Sequence, residues 1–335
     1  MKVSFVVNIH NTAQYIEQCV RSLAEQTLED IEIVLANDAT QDDSMAIAEK
    51  TLADYPQRSH QVQIVNHERN MGIGQTRRDG FAASKGDFII FIDSDDFVDR
   101  RMAALLYEKA IDTSSDMVIC GFYRYDGTKS VPDTIVPHGS AETGDNIRDD
   151  IINRRVSPFI WCRLINRKVL ADQRFLWPVE KLGDDTVIGA QAVYFANTIS
   201  YVNEPLYYYR YNLDSVTKRR DEKSILNNYN SFKKNVEIYL QFLEQEGVTE
   251  KYGRGVVINK LRLKNRVLPL TEKSQYRKLW WDTYPEINKV LLFGNRYYKP
   301  SYREWLWVGA IMTGCYYRYR RKLEKKKYRP SDEWL

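Results

Sequence analysis

The sequence predicts an α/β protein whose sheet is mostly parallel. Through about the first 120 residues, short runs of β-branched residues alternate with amphipathic helical patterns, which is typical of successive βα units. The chain has 335 residues, 43% of them hydrophobic, enough to bury the core of one large domain with an appendage, or of two domains. This composition excludes a disordered chain, a collagen and a disulfide scaffold.

The first half of the chain supplies five predicted strands with helices between them. Apolar residues recur at helical spacing in four segments, and Asn11 and Thr12 are candidate caps of the first of these helices. Acidic residues open the second helix, where they suit the positive end of its dipole. The predicted strands are 3–9, 31–36, 61–65, 87–92 and 116–120, and the predicted helices are 15–23, 42–52, 72–84 and 100–111.

The pattern becomes irregular from about residue 121 to residue 220, where loops surround shorter strands at 199–202 and 206–210. An α/β enzyme usually builds the side for its second substrate in such a region. Two polar-rich helices are predicted at 224–245 and 251–268. No internal repeat and no low-complexity tract interrupts this organisation.

Charge divides the chain unevenly, although the net charge is only +4. Residues 1–250 contain 28 Lys and Arg against 38 Asp and Glu, whereas residues 251–335 contain 21 against 7. The basic C-terminal quarter therefore favours a polyanionic surface such as a membrane, a nucleic acid or an acidic partner. The four cysteines show no CxxC spacing, which fits a reducing cytoplasm. The first residues are too polar for a signal peptide, and no stretch reaches the roughly 18 to 20 apolar residues of a membrane span.

The run FIIFIDSDD at residues 88–96 is the strongest chemical signal. A buried apolar strand that ends in three carboxylates places them at the carboxyl edge of the sheet, where open α/β sheets bind ligands. Clustered carboxylates are costly to bury without a cation, and their oxygens suit Mg²⁺ or Mn²⁺. The alternative is structural: Asp95 or Asp96 could cap the helix expected near Arg100.

Several motifs in the same order and spacing resemble the family 2 glycosyltransferases over about residues 3 to 220. The stretch at 3–44 parallels the family's strand, turn, helix ending in Gln-Thr, second strand and Asp-rich loop. RNMGIGQTRRDGFAASKGDFIIFIDSDDFVD parallels its Asn-x-Gly, Arg and DxD segment. KLGDDTVIG parallels the acidic pair before the acceptor-side helix, and EPLYYYRYNLDSVTKR parallels the segment that closes the domain.

The resemblance implies a GT-A fold, a Rossmann-like mixed sheet flanked by helices, for residues 1–220. Residues 1–100 would form its nucleotide-sugar side and residues 101–220 its acceptor side, with a helical, basic extension at 221–335. The implied activity is an inverting, metal-dependent hexosyl or N-acetylhexosaminyl transfer. The donor would be a nucleotide-sugar, of UDP type, and the acceptor a glycan or lipid-linked hydroxyl in cell-surface polysaccharide biosynthesis.

On the donor side, the resemblance implies that Asp38 reads the nucleotide base and that Asn8 lies beside that base. Arg77 matches the family's arginine near the base or phosphate. Asp93 and Asp95 would contact the ribose and the sugar.

The remaining roles concern the metal and the acceptor. Asp95 and Asp96 would hold the Mg²⁺ or Mn²⁺ that bridges the diphosphate and offsets the charge of the leaving phosphate. By the resemblance, Asp185 is the catalytic base that takes the proton of the acceptor hydroxyl, and Asp184 supports it. Trp161 matches an aromatic residue near the acceptor. Without the resemblance, the acidic pair would instead be a helix cap after Gly183.

Some positions depart from the family pattern. Asn8 stands where a proline is usual and His10 where a tyrosine is usual, so the base pocket can differ. The usual Asp-Asp-Gly-Ser run is replaced by residues 37–40, Asn-Asp-Ala-Thr, and the Glu-Asp pair by two aspartates. Two rival functions stay open: another metal-dependent nucleotide-sugar enzyme, such as a nucleotidyltransferase, and a non-catalytic carbohydrate- or membrane-binding protein on the same scaffold.

The apolar and aromatic segment at 305–317, followed by basic residues to 329, predicts an interfacial helix on an anionic membrane surface. The competing interpretation is a helix packed on the catalytic domain with a solvated basic end. No nucleic-acid-binding module is recognised, and nucleic acid is not an expected partner. The four histidines, at 10, 60, 67 and 138, show no ligand spacing and are expected at the surface or in the core. The expected location is cytoplasmic, at the periphery of the inner face of the cell membrane.

Overall fold

The computed structural model describes residues 1–133, 144–211, 221–301, 308–309 and 311–312. Within these residues, nine strands form one mixed sheet. The strands are β1 (Val3–Ile9), β2 (Ile31–Asn37), β3 (Val62–Asn66), β4 (Phe88–Asp93), β5 (Phe97–Val98), β6 (Met117–Tyr125), β7 (Ser130–Asp133), β8 (Arg163–Asn166) and β9 (Ile199–Arg210).

Helices flank the sheet and form the C-terminal part of the described chain. They are α1 (Ile16–Ala24), α2 (Ser44–Ala53), α3 (Ile73–Ala83), α4 (Met102–Asp112), α5 (Gly144–Ile152), α6 (Arg167–Leu170), α7 (Asp184–Phe195), α8 (Glu222–Gln245), α9 (Gly253–Arg266), α10 (Ser274–Asp282) and α11 (Glu286–Phe293). Short 3₁₀ helices lie at Pro56–Gln61 and Leu268–Leu270.

The first half of the sheet is parallel, as the sequence predicts. Its order is β3-β2-β1-β4, and each neighbouring pair in it runs parallel. Every residue of β1 is buried, because helices cover both faces of such a sheet. Asn8 lies in register with Ala36 of β2 and with Asp93 of β4. The carboxyl ends of these strands therefore form one common edge.

The second half of the sheet is mixed. β8 pairs antiparallel with β4 and β6, and β6 pairs in parallel with β9. The predicted separate strands at 199–202 and 206–210 are one strand, β9. The register shifts at the Cys120/Gly121 junction of β6, where Val202 and Pro205 of β9 take successive positions. The residues between Val202 and Pro205, where the sequence suggested a break between two strands, form a β-bulge. Bulges are positions at which a strand tolerates proline.

The start of α1 corrects the predicted caps. The helix begins at Ile16 after Tyr15, and no side chain in the described ranges caps it. Asn11 and Thr12 join neighbouring loops instead: Asn11 Oδ1 accepts the Gln41 N–H at 2.9 Å, and the Thr12 N–H donates to Ser44 at 2.9 Å. These bonds tie the loop after β1 to the loop after β2.

The predicted helices at 224–245 and 251–268 are confirmed as α8 and α9. Tyr239 and Phe242 of α8 pack in the same core as the sheet, whereas Phe232 of α8 and Trp280 of α10 belong to a second, smaller core. The division of the chain at residue 220 stays a prediction. Most of the aromatic segment at 305–317 lies outside the described residues. No helix in the described ranges has the length and apolar character needed to cross a bilayer.

Candidate active site

The common edge of β1, β2 and β4 carries the first polar groups of the candidate site. Asn8 is only 8% exposed, and within the described part of the chain neither its amide nitrogen nor its amide oxygen has a hydrogen-bond partner. Buried amides without partners are rare in folded proteins, because losing water costs free energy that hydrogen bonds normally offset. The Asn8 side chain is therefore available to a polar ligand at this edge.

Arg77 of α3 joins three of the predicted carboxylates. Its guanidinium, 1% exposed, donates to Asp93 Oδ1 at 2.7 Å and to Asp185 Oδ1 at 3.3 Å, and it also pairs with Asp184. Asp93 ends β4, whereas the acidic pair occupies the first turn of α7. A single arginine thus brings together the donor-side and acceptor-side residues that the sequence predicts, although about a hundred residues of chain separate them.

Asp185 keeps access to solvent while it lies in a low-dielectric environment. Its side chain is 28% exposed. Burial raises the pKa of its carboxyl, and the positive charge of Arg77 opposes that rise. The carboxylate is therefore held near a cation, yet it is a stronger base than a fully solvated aspartate.

Asp96 is the most enclosed member of the acidic run, at 2% exposure. The Tyr207 hydroxyl donates to its Oδ2 at 2.6 Å, and the Arg210 backbone N–H donates to its Oδ1 at 2.7 Å. Burial, and after it the negative charges of Asp95 and Asp93, raise the pKa of Asp96 well above its ordinary value. The helix-cap alternative fails for this residue, because α4 begins at Met102 without a side-chain cap.

These carboxylates fit a divalent cation chemically. No group of three or more metal-binding side chains is found among the described residues. Mg²⁺, however, is usually held by one or two carboxylates together with substrate phosphates. Each carboxylate oxygen has two lone pairs, so Asp96 can accept its hydrogen bonds and still face a cation. Burial and the negative charges of Asp95 and Asp93 disfavour the ionised form of Asp96. A bound cation would offset that cost, because its positive charge attracts all three carboxylates.

Asp38 lies beside the same edge and is 4% exposed. Its carboxylate accepts the N–H groups of Met71 at 2.6 Å and Gly72 at 2.9 Å, just before α3 begins. His67 Nδ1 lies 3.1 Å from the same carboxylate, and His67 Nε2 lies 3.1 Å from Asp79. The role of His67 could not be recognised from the sequence, because no spacing pattern connects residues 38, 67 and 79. Asp38 thus organises the loop that leads into α3.

Trp161 lies in the core rather than at a surface, at 2% exposure. It stacks on Tyr207 with ring centroids 4.4 Å apart and on Phe159 at 4.9 Å. Because the Tyr207 hydroxyl donates to Asp96, the stacking of Trp161 on Tyr207 helps to fix the position of the Asp96 carboxylate. Direct contact between Trp161 and an acceptor stays a prediction.

The amino-acid sequence is similar to a known protein family and to several named proteins. Residues 4–173 match the family model described as glycosyl transferase family 2. EpsH of Bacillus subtilis, which carries a glycosyltransferase name, is 30% identical over 257 residues, covering 75% of this chain and 72% of the relative. The poly(ribitol-phosphate) beta-N-acetylglucosaminyltransferase TarS of Staphylococcus aureus is 26% identical over 66% of this chain and 36% of its own length.

Solved structures extend the likeness to most of the chain. The structure of S. aureus TarS 1–349 with UDP-GlcNAc superposes with a TM-score of 0.57 at 20% identity, covering 89% of this chain and 93% of that one. The mannosyltransferase PcManGT of Pyrobaculum calidifontis, solved with GDP-Man and Mn²⁺, gives a TM-score of 0.51 at 14% identity over 97% and 88%. At these identities the likeness concerns the fold, and the expected GT-A fold is confirmed. The chain belongs to glycosyl transferase family 2.

Proposed function

We propose that the protein is an inverting, metal-dependent glycosyltransferase that moves a sugar from a UDP-sugar to a hydroxyl of a glycan or lipid-linked acceptor. The observation that carries the proposal is the arrangement around Arg77. This side chain contacts Asp93 at the donor edge and Asp185 in the first turn of α7. One group thereby connects the place where a leaving phosphate would lie to the carboxylate that would receive a proton.

The donor would bind along the edge of β1, β2 and β4. The Asn8 amide offers N–H donors and an acceptor oxygen that have no partner among the described residues, which suits the polar edge of a nucleotide base. Asp38 would act on the base together with the loop whose N–H groups it holds. UDP as the nucleotide is supported by the TarS structures, which were solved with UDP and with UDP-GlcNAc. Asp93 and Asp95 would lie toward the ribose and sugar.

Asp95 and Asp96 would hold the Mg²⁺ or Mn²⁺. The ion would supply positive charge for the diphosphate as it leaves. Tyr207 and the Arg210 backbone N–H orient the Asp96 carboxylate, so its position is set before any ligand arrives. This orientation limits the rearrangement that binding requires.

Asp185 would act as the catalytic base, with Asp184 fixing Arg77 beside it. The acceptor hydroxyl attacks the anomeric carbon of the sugar, the bond to the phosphate oxygen breaks, and the hydroxyl proton passes to Asp185. Attack from the face opposite the leaving group inverts the anomeric centre. Arg77 keeps the carboxylate ionised before transfer, and burial makes it basic enough to accept the proton.

The acceptor is proposed to belong to cell-surface polysaccharide synthesis. Relatives named for transfer to poly(ribitol-phosphate), in Bacillus spizizenii and S. aureus, support this class. The basic and aromatic segment at 305–329 is proposed to hold the enzyme at the anionic inner face of the membrane. Residues 305–329 lie almost entirely outside the described part of the chain.

A thermal-unfolding panel tests the donor class and the metal together. The nucleotides are UDP, GDP, CDP and dTDP, each with EDTA, Mg²⁺ or Mn²⁺. We expect UDP with a metal ion to raise the Tm by several degrees, and Asp96→Ala to abolish the shift. Asp112→Ala is the control, since Asp112 is exposed at the end of α4, remote in sequence from the acidic run. Stabilisation by another nucleotide but not by UDP would refute UDP as the nucleotide of the donor. Equal stabilisation by UDP in EDTA would refute the requirement for a metal ion.

A further inference from the structure

The loop between α5 and β8 contacts α7, the helix that carries the proposed base Asp185. A Cβ atom added to Gly189 of α7 would lie 2.2 Å from the Pro158 carbonyl oxygen, so this loop and helix touch. Residues four apart share one face of a helix, and Asp185 therefore faces the same loop one turn earlier. Arg163 fixes the contact, since its guanidinium donates to Ser157 O at 3.2 Å and to Gly189 O at 3.4 Å.

The start of this loop also touches α9. The Tyr239 hydroxyl donates to Ile152 O at 2.8 Å, and the Gly255 N–H donates to Asn153 Oδ1 at 3.4 Å. A Cβ atom on Gly255 would lie 2.2 Å from Ile152 O, so the backbones of the turn and of α9 are in close contact. The next residue of the turn is Arg154, at a φ of 59°.

Arg154, in the turn, and Arg262, on the face of α9 that the turn contacts, have no carboxylate partner among the described residues. The Nε and one terminal nitrogen of Arg154 are buried and make no hydrogen bond to any residue that the structure describes. Arg262 is partly exposed and follows Gly255 by seven residues, which places both on the same face of α9. Burial, and then the positive charge of Arg262, lower the pKa of Arg154 well below its ordinary value.

Two neighbouring guanidinium groups that lack an anion are unfavourable in a partly buried environment. A phosphate group relieves this cost well, because guanidinium presents paired N–H donors that match its oxygens. The same loop contacts α7 one turn after Asp185, at Gly189, and the positive charge of Arg154 favours the ionised form of the Asp185 carboxyl. An acceptor that carries phosphate could therefore engage all three.

We propose that Arg154 and Arg262 form an anion-binding subsite that holds a phosphate group of the acceptor while its hydroxyl reaches Asp185. This inference rests on the proposed function, since it takes Asp185 as the base. The phosphate could come from a soluble phosphoester chain or from a lipid headgroup, and both sources share the recognised chemistry.

Calorimetric titration with sn-glycerol 3-phosphate, in EDTA, tests the subsite. We expect Arg154→Gln and Arg262→Gln each to raise its Kd by roughly tenfold. Lys260→Gln is the matched control: Lys260 lies on α9, is similarly enclosed and pairs with Glu286 at 2.7 Å, so its removal should leave binding unchanged. Excess UDP should not displace the probe. If Arg154→Gln does not fold, Arg262→Gln decides alone.

A second arm uses phosphatidylcholine vesicles with and without phosphatidylglycerol. Binding that requires phosphatidylglycerol and Arg262, without binding of glycerol 3-phosphate, supports a lipid headgroup; the reverse supports a soluble phosphoester. Binding of both probes that is unchanged in the arginine variants, or binding of neither, would overturn the subsite. UDP titration with Mn²⁺ runs in parallel, because loss of UDP binding with intact Arg262-dependent phosphate binding would refute the proposed function alone.

Discussion

The buried guanidinium of Arg77 forms an ion pair with Asp93, with 2.7 Å between guanidinium nitrogen and carboxylate oxygen, that joins α3 to the end of β4. The same guanidinium pairs with Asp184 and Asp185. The Arg77 guanidinium is thus held by the same carboxylates that it brings together, and it also lies over the ring of Phe91. This mutual dependence couples the stability of the fold to the geometry of the site.

Replacing Arg77 with Met should destabilise the protein strongly. Removing one partner of a buried ion pair leaves uncompensated charge, here on several carboxylates, and typically costs about 3 to 5 kcal/mol. Urea unfolding measures this loss. Arg78→Met, at the exposed neighbouring position, serves as control and should change stability by less than about 0.5 kcal/mol. Similar losses in the two variants would contradict the role of the buried network.

Asp96 should make the metal-free protein less stable as the pH rises. Its folded-state pKa lies well above the ordinary value of an aspartate carboxyl, about 3.9, so the folded protein binds more protons than the unfolded chain. Stability contributed by the neutral carboxyl is therefore lost as the pH rises from about 4 through the raised pKa. Compared with Asp96→Asn in EDTA, the wild type should weaken over this range, as urea unfolding measures. If the free energy of unfolding of the wild type rose with pH relative to that of Asp96→Asn, the raised pKa of Asp96 would be contradicted.

His67→Ala should weaken nucleotide binding without abolishing catalysis. The ring lies 3.1 Å from both Asp38 and Asp79, so its loss frees the loop that Asp38 holds. We expect the Kd of UDP to rise by roughly tenfold while kcat changes little. His60→Ala, at an exposed position, provides the control for titration calorimetry. An unchanged Kd would show that the loop keeps its position without the histidine.

Gly80→Ala should destabilise the packing of α3 on β1. An added Cβ atom would lie 2.5 Å from Cγ1 of Val6, and such overpacking typically costs about 1 to 3 kcal/mol. Combining it with Val6→Ala removes the obstructing methyl groups. The double variant should therefore lose less free energy of unfolding than the sum of the two single variants. Simple additivity would contradict the close approach.

Lys264 should produce a different pH dependence, at alkaline pH. Its ammonium is buried and donates to the carbonyl oxygens of Trp280 and Thr283, and burial lowers its pKa to about 8. The unfolded chain binds more protons between about pH 8 and 10.5, so stability rises with pH in that window, by up to roughly 3 kcal/mol relative to Lys264→Met. Urea unfolding at both ends of the window measures this. A flat difference between the two proteins would contradict the lowered pKa.

The sequence predicts β1, β2 and β4 well because these strands are mostly apolar, and β3 is recognised to within one residue although Gln63 and Asn66 interrupt its apolar residues. β1 occupies the residues predicted for it, and β4 is displaced by only one residue. The joining of two segments into β9 could not be predicted, since the bulge opposite Gly121 depends on pairing with β6. Residues 11 and 12 also looked like helix caps, and only the neighbouring loop explains their actual partners.

The carboxylates of the site could be recognised from their position after an apolar strand and from the family resemblance. Their mutual geometry could not, because contacts such as that of Arg77 with Asp184 join segments that are remote in sequence. His67 illustrates the same limit, since its partners come from two other segments. Arg154 and Arg262 lie in the irregular region and in the C-terminal helices, where no motif indicated a site.

Single-turnover sugar transfer by Asp185→Asn tests most directly whether Asp185 is the catalytic base. The donor is UDP-GlcNAc or the UDP-sugar identified by a donor screen. Asparagine keeps the size of the side chain but cannot take the acceptor proton. We expect a transfer rate at least about 100-fold lower than that of the wild type, with UDP affinity and Tm close to the wild-type values. A rate within a few-fold of the wild type, in a variant that still binds UDP, would show that Asp185 is not the base.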